Sequence, residues 1–239
     1  TIPNQEIRLN SYNLLVKERI AEGGFGFVDL VIEQVTKAEY VLKRCVIQTN
    51  DSLEIVKKEI NILQRFEGSY IVKMFASDVI VNRSGAREAL LLLEYCPGGH
   101  LLERLNNRKG QPLPLTSIYR IFGQILLAIQ TFHHSNPIIT HRDLKLENIL
   151  FGIDSNVRIC DFGSCVSGYT YLRNSEERYA AEEIISKETT QMYRAPEMVD
   201  LYLRQVLTEK TDIWALGCIF YALCFLSHPF QDAGSLGIL

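Results

Sequence analysis

At CPGGH, residues 96–100, a Pro-Gly-Gly break separates two stretches of different periodicity, and that change points to a two-part α+β architecture. Up to about Leu93 the segments YNLLVKERI, FVDLVIEQV, YVLKRCVI and ALLLLEY set apolar and β-branched residues between turn signals and predict strands. One helix interrupts them. Asp51 and Glu54 are spaced for a capping box, and Leu53, Val56, Ile60 and Leu63 fall on one helical face. After the break, Leu115, Ile118, Phe122, Ile125, Ile129 and Phe132 form an apolar helical stripe, and residues 213–226 are apolar all round, as in a buried core helix. The expected plan is a small β-rich part to about residue 93, a hinge near 94–99 and a larger helical part over 100–239.

Composition narrows the function classes. A net charge of −3 over 239 residues supplies no general attraction for nucleic acid or acidic membranes, so no nucleic-acid partner is expected. Cys45, Cys96, Cys160, Cys165, Cys218 and Cys224 contain no CxxC pair and fit reduced, packed thiols in a cytoplasmic protein. The longest uncharged run lies between Asp212 and His228, which is short for a membrane span. The chain begins TIPNQ without methionine, as an excised domain would.

Five stretches carry potential chemistry, and each has a plain structural alternative. AEGGFGFV (21–28) is either a turn or a glycine loop offering N–H groups to phosphates; it lacks the Gly-Lys-Ser/Thr of a Walker loop, and a strand rather than a helix follows it. Lys43, ending YVLK (40–43), either snorkels to solvent or reaches a phosphate, with Glu59 as the carboxylate that orients it. HRDLKLEN (141–148) reads as a charged turn or a catalytic loop, and CDFGS (160–164) as an Asp-X-Gly turn or a metal ligand. TTQMYRAPE (189–197) completes the set. Their joint order decides among these readings.

That order resembles the eukaryotic protein kinases, whose signature runs glycine loop, strand lysine, helix glutamate, HRD with a downstream Asn, DFG and APE. DIWALGC (212–218) is similar to the family's DxWxxG helix start. The resemblance implies a bilobal protein-kinase-like fold, a single domain over 1–239 whose C-terminal helices are not all included, and ATP with Mg²⁺ as cofactors. It implies that Gly23, Gly24 and Gly26 cover the phosphates with Phe25 at the tip, and that Lys43, paired with Glu59, holds the α- and β-phosphates. Asp161 and Asn148 would hold the metal, Asp143 would orient the acceptor hydroxyl, and Lys145 would stabilise the transferred group. Thr190 would tie Asp143 and Lys145 to the substrate platform. Leu93 matches the gatekeeper, Glu94 and Cys96 the adenine-binding backbone, and Val28 the residue packed on the ring. Leu63, His141 and Phe162 match a packing spine, and Glu197 matches a partner of an arginine further along the family's domains.

Two positions depart from the pattern. Ala21 replaces the loop's first glycine, and Val41 replaces the usual strand alanine, which bears on nucleotide affinity. The DLKxxN form is similar to Ser/Thr kinases. IAEGGFGFV, LEYCPGGHLLERLN, PIITHRDLKLENIL, TTQMYRAPEMVDLY and TDIWALGCIFYALCFLSHPF resemble the Numb-associated kinases, which include the adaptor-associated and cyclin-G-associated kinases. This implies transfer to Ser/Thr hydroxyls of endocytic adaptor proteins such as clathrin-adaptor subunits, and a peripheral place at endocytic membranes. AAEEIISKE is expected to form an ordering helix that weakens dependence on a phosphate at Ser167, Tyr169, Thr170, Tyr171, Ser175, Tyr179 or Thr189 pairing with Arg142. The alternatives are a pseudokinase scaffold that binds nucleotide without transfer and a pure interaction domain, which would leave Lys43, Asp143, Asn148 and Asp161 without a purpose.

Overall fold

Alternating side chains between Glu6 and Glu94 build a six-stranded antiparallel sheet in the order β1-β2-β3-β4-β6-β5. Its strands are β1 (Glu6–Leu9), β2 (Tyr12–Gly23), β3 (Gly26–Glu33), β4 (Glu39–Ile47), β5 (Met74–Val81) and β6 (Arg87–Glu94). These assignments come from a computed structural model, which describes residues 5–23, 26–82, 85–231 and 234–239. The chain divides after Pro97, giving one unit over Thr1–Pro97 and another over Gly98–Leu239. The first is β-rich and the second mainly helical, so the α+β class holds.

In the first unit, one sheet face buries Leu14, Val16, Val31, Leu42, Leu90 and Leu92, joined by Leu9 and Ala76. Each buried leucine or valine of this set contributes roughly 1.5–3 kcal/mol over its exposed state. Strands β1 and β5 escape the sequence pattern because β1 has only four residues and several β5 side chains face solvent. Helix α1 (Asn50–Arg65) forms where expected, but its cap differs. Thr49 is the N-cap and Ser52 completes the capping box: Thr49 Oγ1 accepts from Ser52 N at 3.2 Å, and Thr49 N donates to Ser52 Oγ at 3.0 Å. Asp51 instead sits inside the first turn, where its charge suits the helix dipole.

The second unit contains α2 (Leu101–Asn106), α3 (Leu115–His133), β7 (Ile139–Thr140), β8 (Ile149–Phe151), β9 (Val157–Ile159), β10 (Val166–Ser167), α4 (Ser175–Glu188), α5 (Pro196–Val199), α6 (Lys210–Phe225) and α7 (Ser235–Ile238). Helix α3 buries Ile118, Ile121, Ile125, Ala128, Ile129 and Phe132. Leu115, expected in that stripe, follows the Pro114 N-cap and is exposed. Helix α6 is not buried all round either. It packs Ala215, Leu216, Cys218, Ile219, Ala222 and Leu223 inward, yet Ile213, Tyr221 and Phe225 are exposed among the described residues. Burial pushes the Cys218 thiol up to about 11, which keeps it a packed, protonated group. None of the helices is long and apolar enough to cross a membrane, among the described residues.

Candidate active site

Strand register assembles one group of candidate residues within the first unit. Ala21 pairs with Val28, Val28 with Lys43, and Val41 with Leu93, so period-two alternation sets these five residues on one sheet face. Lys43 Nζ reaches both Glu59 oxygens, at 2.7 and 2.9 Å. The Glu59 side chain is only 4% exposed, and a carboxylate that deep requires a cation. Gly26 pairs with Gly23 where β2 turns into β3, at φ +141°, a conformation that side chains other than glycine's rarely adopt. A Cβ there would also lie 1.8 Å from the Arg44 carbonyl oxygen. Gly24 and Phe25 lie outside the described residues. Leu93 and Cys96 are buried, and the Glu94 N–H donates to the Lys73 carbonyl at 2.8 Å.

Within the second unit another group is built around Asp143, 6% exposed. Its Oδ1 accepts from the Thr190 N–H at 2.9 Å and from the Thr190 hydroxyl at 2.7 Å. Its Oδ2 accepts from Lys145 Nζ at 2.7 Å, and Lys145 also donates to Thr190 Oγ1 at 3.0 Å. Asn148 Nδ2 donates to the Asp143 carbonyl at 2.9 Å, which turns the Asn148 amide oxygen to the other side. The Cys160 N–H donates to the Asn148 carbonyl at 3.1 Å, so the turn bearing Asp161 runs beside Asn148. Asp161 is exposed at the end of that turn, at φ +64°. Next to it, Phe162 is fully buried against Phe132 and His141, with ring centroids 5.5 and 5.4 Å away. His141 thus packs, as expected; Leu63 is buried in the first unit.

Three supports of this loop were not legible in the sequence. Asp212, on α6, accepts the backbone N–H groups of His141 at 2.8 Å and Arg142 at 2.9 Å, and its Oδ2 lies 2.8 Å from His133 Nε2. The DIWALGC motif marked its position but not this task. Arg142, at φ +69°, donates from Nη2 to Thr170 Oγ1 at 2.8 Å, while Thr170 exchanges two backbone hydrogen bonds with Leu207. Burial pulls the Arg142 guanidinium down from its ordinary value, opposed by Asp212 and Glu188. Arg194 joins α4 to the platform, donating to the Ile185 and Thr189 carbonyls at 3.1 and 2.9 Å and to Thr189 Oγ1 at 2.8 Å. The Asp212 and Arg142 pairs lie too far apart in sequence for spacing to reveal them.

The donor chemistry fits a nucleotide with Mg²⁺. In the first unit Gly26 keeps the backbone clear of side chains and Lys43 supplies a positive charge; in the second, taken by itself, Asn148 and Asp161 supply hard oxygen ligands. Mg²⁺ needs only one or two protein carboxylates when phosphates and water complete its shell.

The family profile of the protein kinase domain matches residues 14–237. The chain belongs to the protein kinase family. This kinase is 43% identical over 237 residues to a probable serine/threonine-protein kinase of Dictyostelium discoideum, covering 98% of the chain and 21% of that protein. A second Dictyostelium discoideum protein of the same description is 41% identical over 235 residues, covering 97% of the chain and 29% of its own length. Serine/threonine-protein kinase ppk30 of Schizosaccharomyces pombe is 34% identical over 236 residues, covering 98% of the chain and 25% of that protein. The kinase therefore spans less than a third of these relatives.

Proposed function

We propose that this kinase domain transfers the γ-phosphoryl group of ATP to serine and threonine hydroxyls of proteins. The observation that carries this reading is the Asp143, Lys145 and Thr190 cluster, in which one carboxylate is held from both sides and aimed by backbone and side chain together. Names of the matched relatives support the Ser/Thr class. Bound Mg²⁺ would supply charge neutralisation on the phosphates.

In this mechanism Lys43, fixed by Glu59, would hold phosphate oxygens, and Asn148 and Asp161 would offer oxygen ligands to the metal. Asp143 accepts the hydrogen bond of the incoming hydroxyl and orients it for attack. Lys145 neutralises charge that develops on the transferred group. Val28, Val41 and Leu93 form the apolar surface for adenine, with Val41 narrowing it. At the finer level, the resemblance in the glycine loop, the hinge and the YRAPEMVDLY segment supports a Numb-associated kinase acting on endocytic adaptor proteins. Helix α4 and the Arg142–Thr170 bond support a loop that holds its shape without a phosphate on Arg142.

The test is transfer from labelled Mg-ATP to serine, threonine and tyrosine acceptor peptides, with Asp143→Asn and Asp161→Asn as controls. Loss of transfer by roughly 10²–10⁴-fold in Asp143→Asn supports the assignment. ATP binding without transfer to any acceptor would favour a scaffold. Comparison of adaptor-derived with unrelated threonine peptides tests the subfamily, and phosphatase treatment that abolishes activity would overturn the phosphate-independent loop.

A further inference from the structure

Arg178, in the first turn of α4, is 8% exposed, yet no carboxylate of the described residues pairs with it. Its Nε has no hydrogen-bond partner. The guanidinium lies 4.5 Å from the Tyr202 ring and 5.5 Å from the Tyr179 ring. Ring faces compensate a buried cation only in part, by about 0.5–2 kcal/mol. Its remaining polar contact is a long one, from Nη2 to Ser175 Oγ at 3.4 Å. Ser175 is the first residue of α4, is exposed, and follows the Asn174 N-cap, whose side chain accepts from the Glu177 N–H at 2.8 Å. A buried cation without a counter-charge thus points at an accessible hydroxyl on the positive end of a fourteen-residue helix.

We propose that Ser175 is a phosphorylation site and that Arg178 is the built-in receptor for its phosphate. In the transfer step a bond forms between Ser175 Oγ and the γ-phosphorus of a nucleoside triphosphate. The bond to the β–γ bridging oxygen breaks, the diphosphate leaves, and the hydroxyl proton is lost. The new group brings about −1.5 to −2 of charge and three acceptor oxygens to the guanidinium. Glu176 and Glu177 stand in the same turn and oppose added negative charge, so the sign of the effect rests on Arg178. The consequence extends along the helix. Helix α4 buries Ala181 and Ile185 against Leu172, Ala195, Met198, Leu201 and Leu207 and ends at Thr189, next to the Thr190 that holds Asp143. A phosphate at its start tightens the element behind the acceptor platform, and does so without using Arg142.

The experiment installs phosphoserine at position 175 by genetic encoding in the full chain, alone and with Arg178→Gln, and measures thermal midpoints. A rise of roughly 2–4 °C on phosphorylation with Arg178 present, and none in the Arg178→Gln variant, is expected from about 1 kcal/mol of added stability. No rise with Arg178, or an equal rise in Arg178→Gln, overturns the proposal. Should Arg178→Gln not fold, phosphorus NMR titration of the phosphorylated parent decides. A second phosphate pKa depressed below about 6 supports pairing, and an undepressed value overturns it. Neither readout depends on phosphoryl transfer by this chain, so failure here leaves the proposed activity standing.

Discussion

Thr190 holds Asp143 through both its backbone N–H and its hydroxyl, and the same hydroxyl accepts from Lys145. Thr190→Val keeps the first bond and deletes the others. Hydrogen bonds to charged groups contribute about 1.5–3 kcal/mol, so kcat should fall roughly 10- to 150-fold with little change in the KM for ATP. Thr190→Ser should restore most of the loss. Steady-state kinetics on the three proteins check this, and an unaltered kcat in the valine variant would remove Thr190 from the machinery. Lys43 and Glu59 separate stability from chemistry. Lys43→Met removes the cation 2.7 Å from a nearly buried carboxylate and should cost about 3–5 kcal/mol. Lys43→Met with Glu59→Leu should regain stability in thermal melts while transfer stays lost. At this scale the sequence was informative because Lys43, Glu59, Asp143, Lys145, Asn148 and Asp161 each sit in a short ordered motif. The direct bond of Arg142 to the unmodified Thr170 hydroxyl and the setting of Arg178 were opaque: Thr170 was one of several candidates for a phosphate on Arg142, and Arg178 meets Tyr202, which the chain brings back from further along.

Helix ends and faces were less legible than helix existence. Asp51 and Glu54 have the spacing of a capping box, but the helix begins a turn-edge earlier, at Thr49, where a serine three residues on completes the reciprocal pair. Thr49→Ala should therefore destabilise by about 1 kcal/mol, and Asp51→Ala by only a few tenths. Denaturant midpoints of the two variants rank them, and the opposite ranking would restore Asp51 as the cap. The period-two pattern found β2, β3, β4 and β6 because their apolar sides are continuous. It missed β5, whose Asp78, Val79 and Val81 are exposed. Helix α6 reads as uniformly apolar, yet sequence cannot say which side meets the protein; Asp212, the charge at the edge of that pattern, faces inward together with Ala215, Leu216 and Ile219.

The whole chain carries a pH-sensitive packing site at His228. Burial against Tyr193 pushes its pKa down to about 4, and the Phe230 N–H donates to its Nδ1 at 3.0 Å, a bond that the neutral ring accepts. The unfolded chain protonates near 6.5. Between those values the unfolded state binds more protons, so stability falls as pH drops from about 6.5 towards 4 and this contribution is level above that window. Thermal midpoints at pH 5 and 7 should differ in that direction, and His228→Phe should shrink the difference; an unchanged gap would place the sensitivity elsewhere. One carboxylate also sets how the second unit fails. Since the amides of His141 and Arg142 both end on Asp212, they are shielded from solvent deuterium for as long as α6 keeps its turn. Their exchange rates should match those of the α6 amides, so the loop that carries Asp143 has no separate melting of its own and a heated sample loses that loop and that helix in a single event.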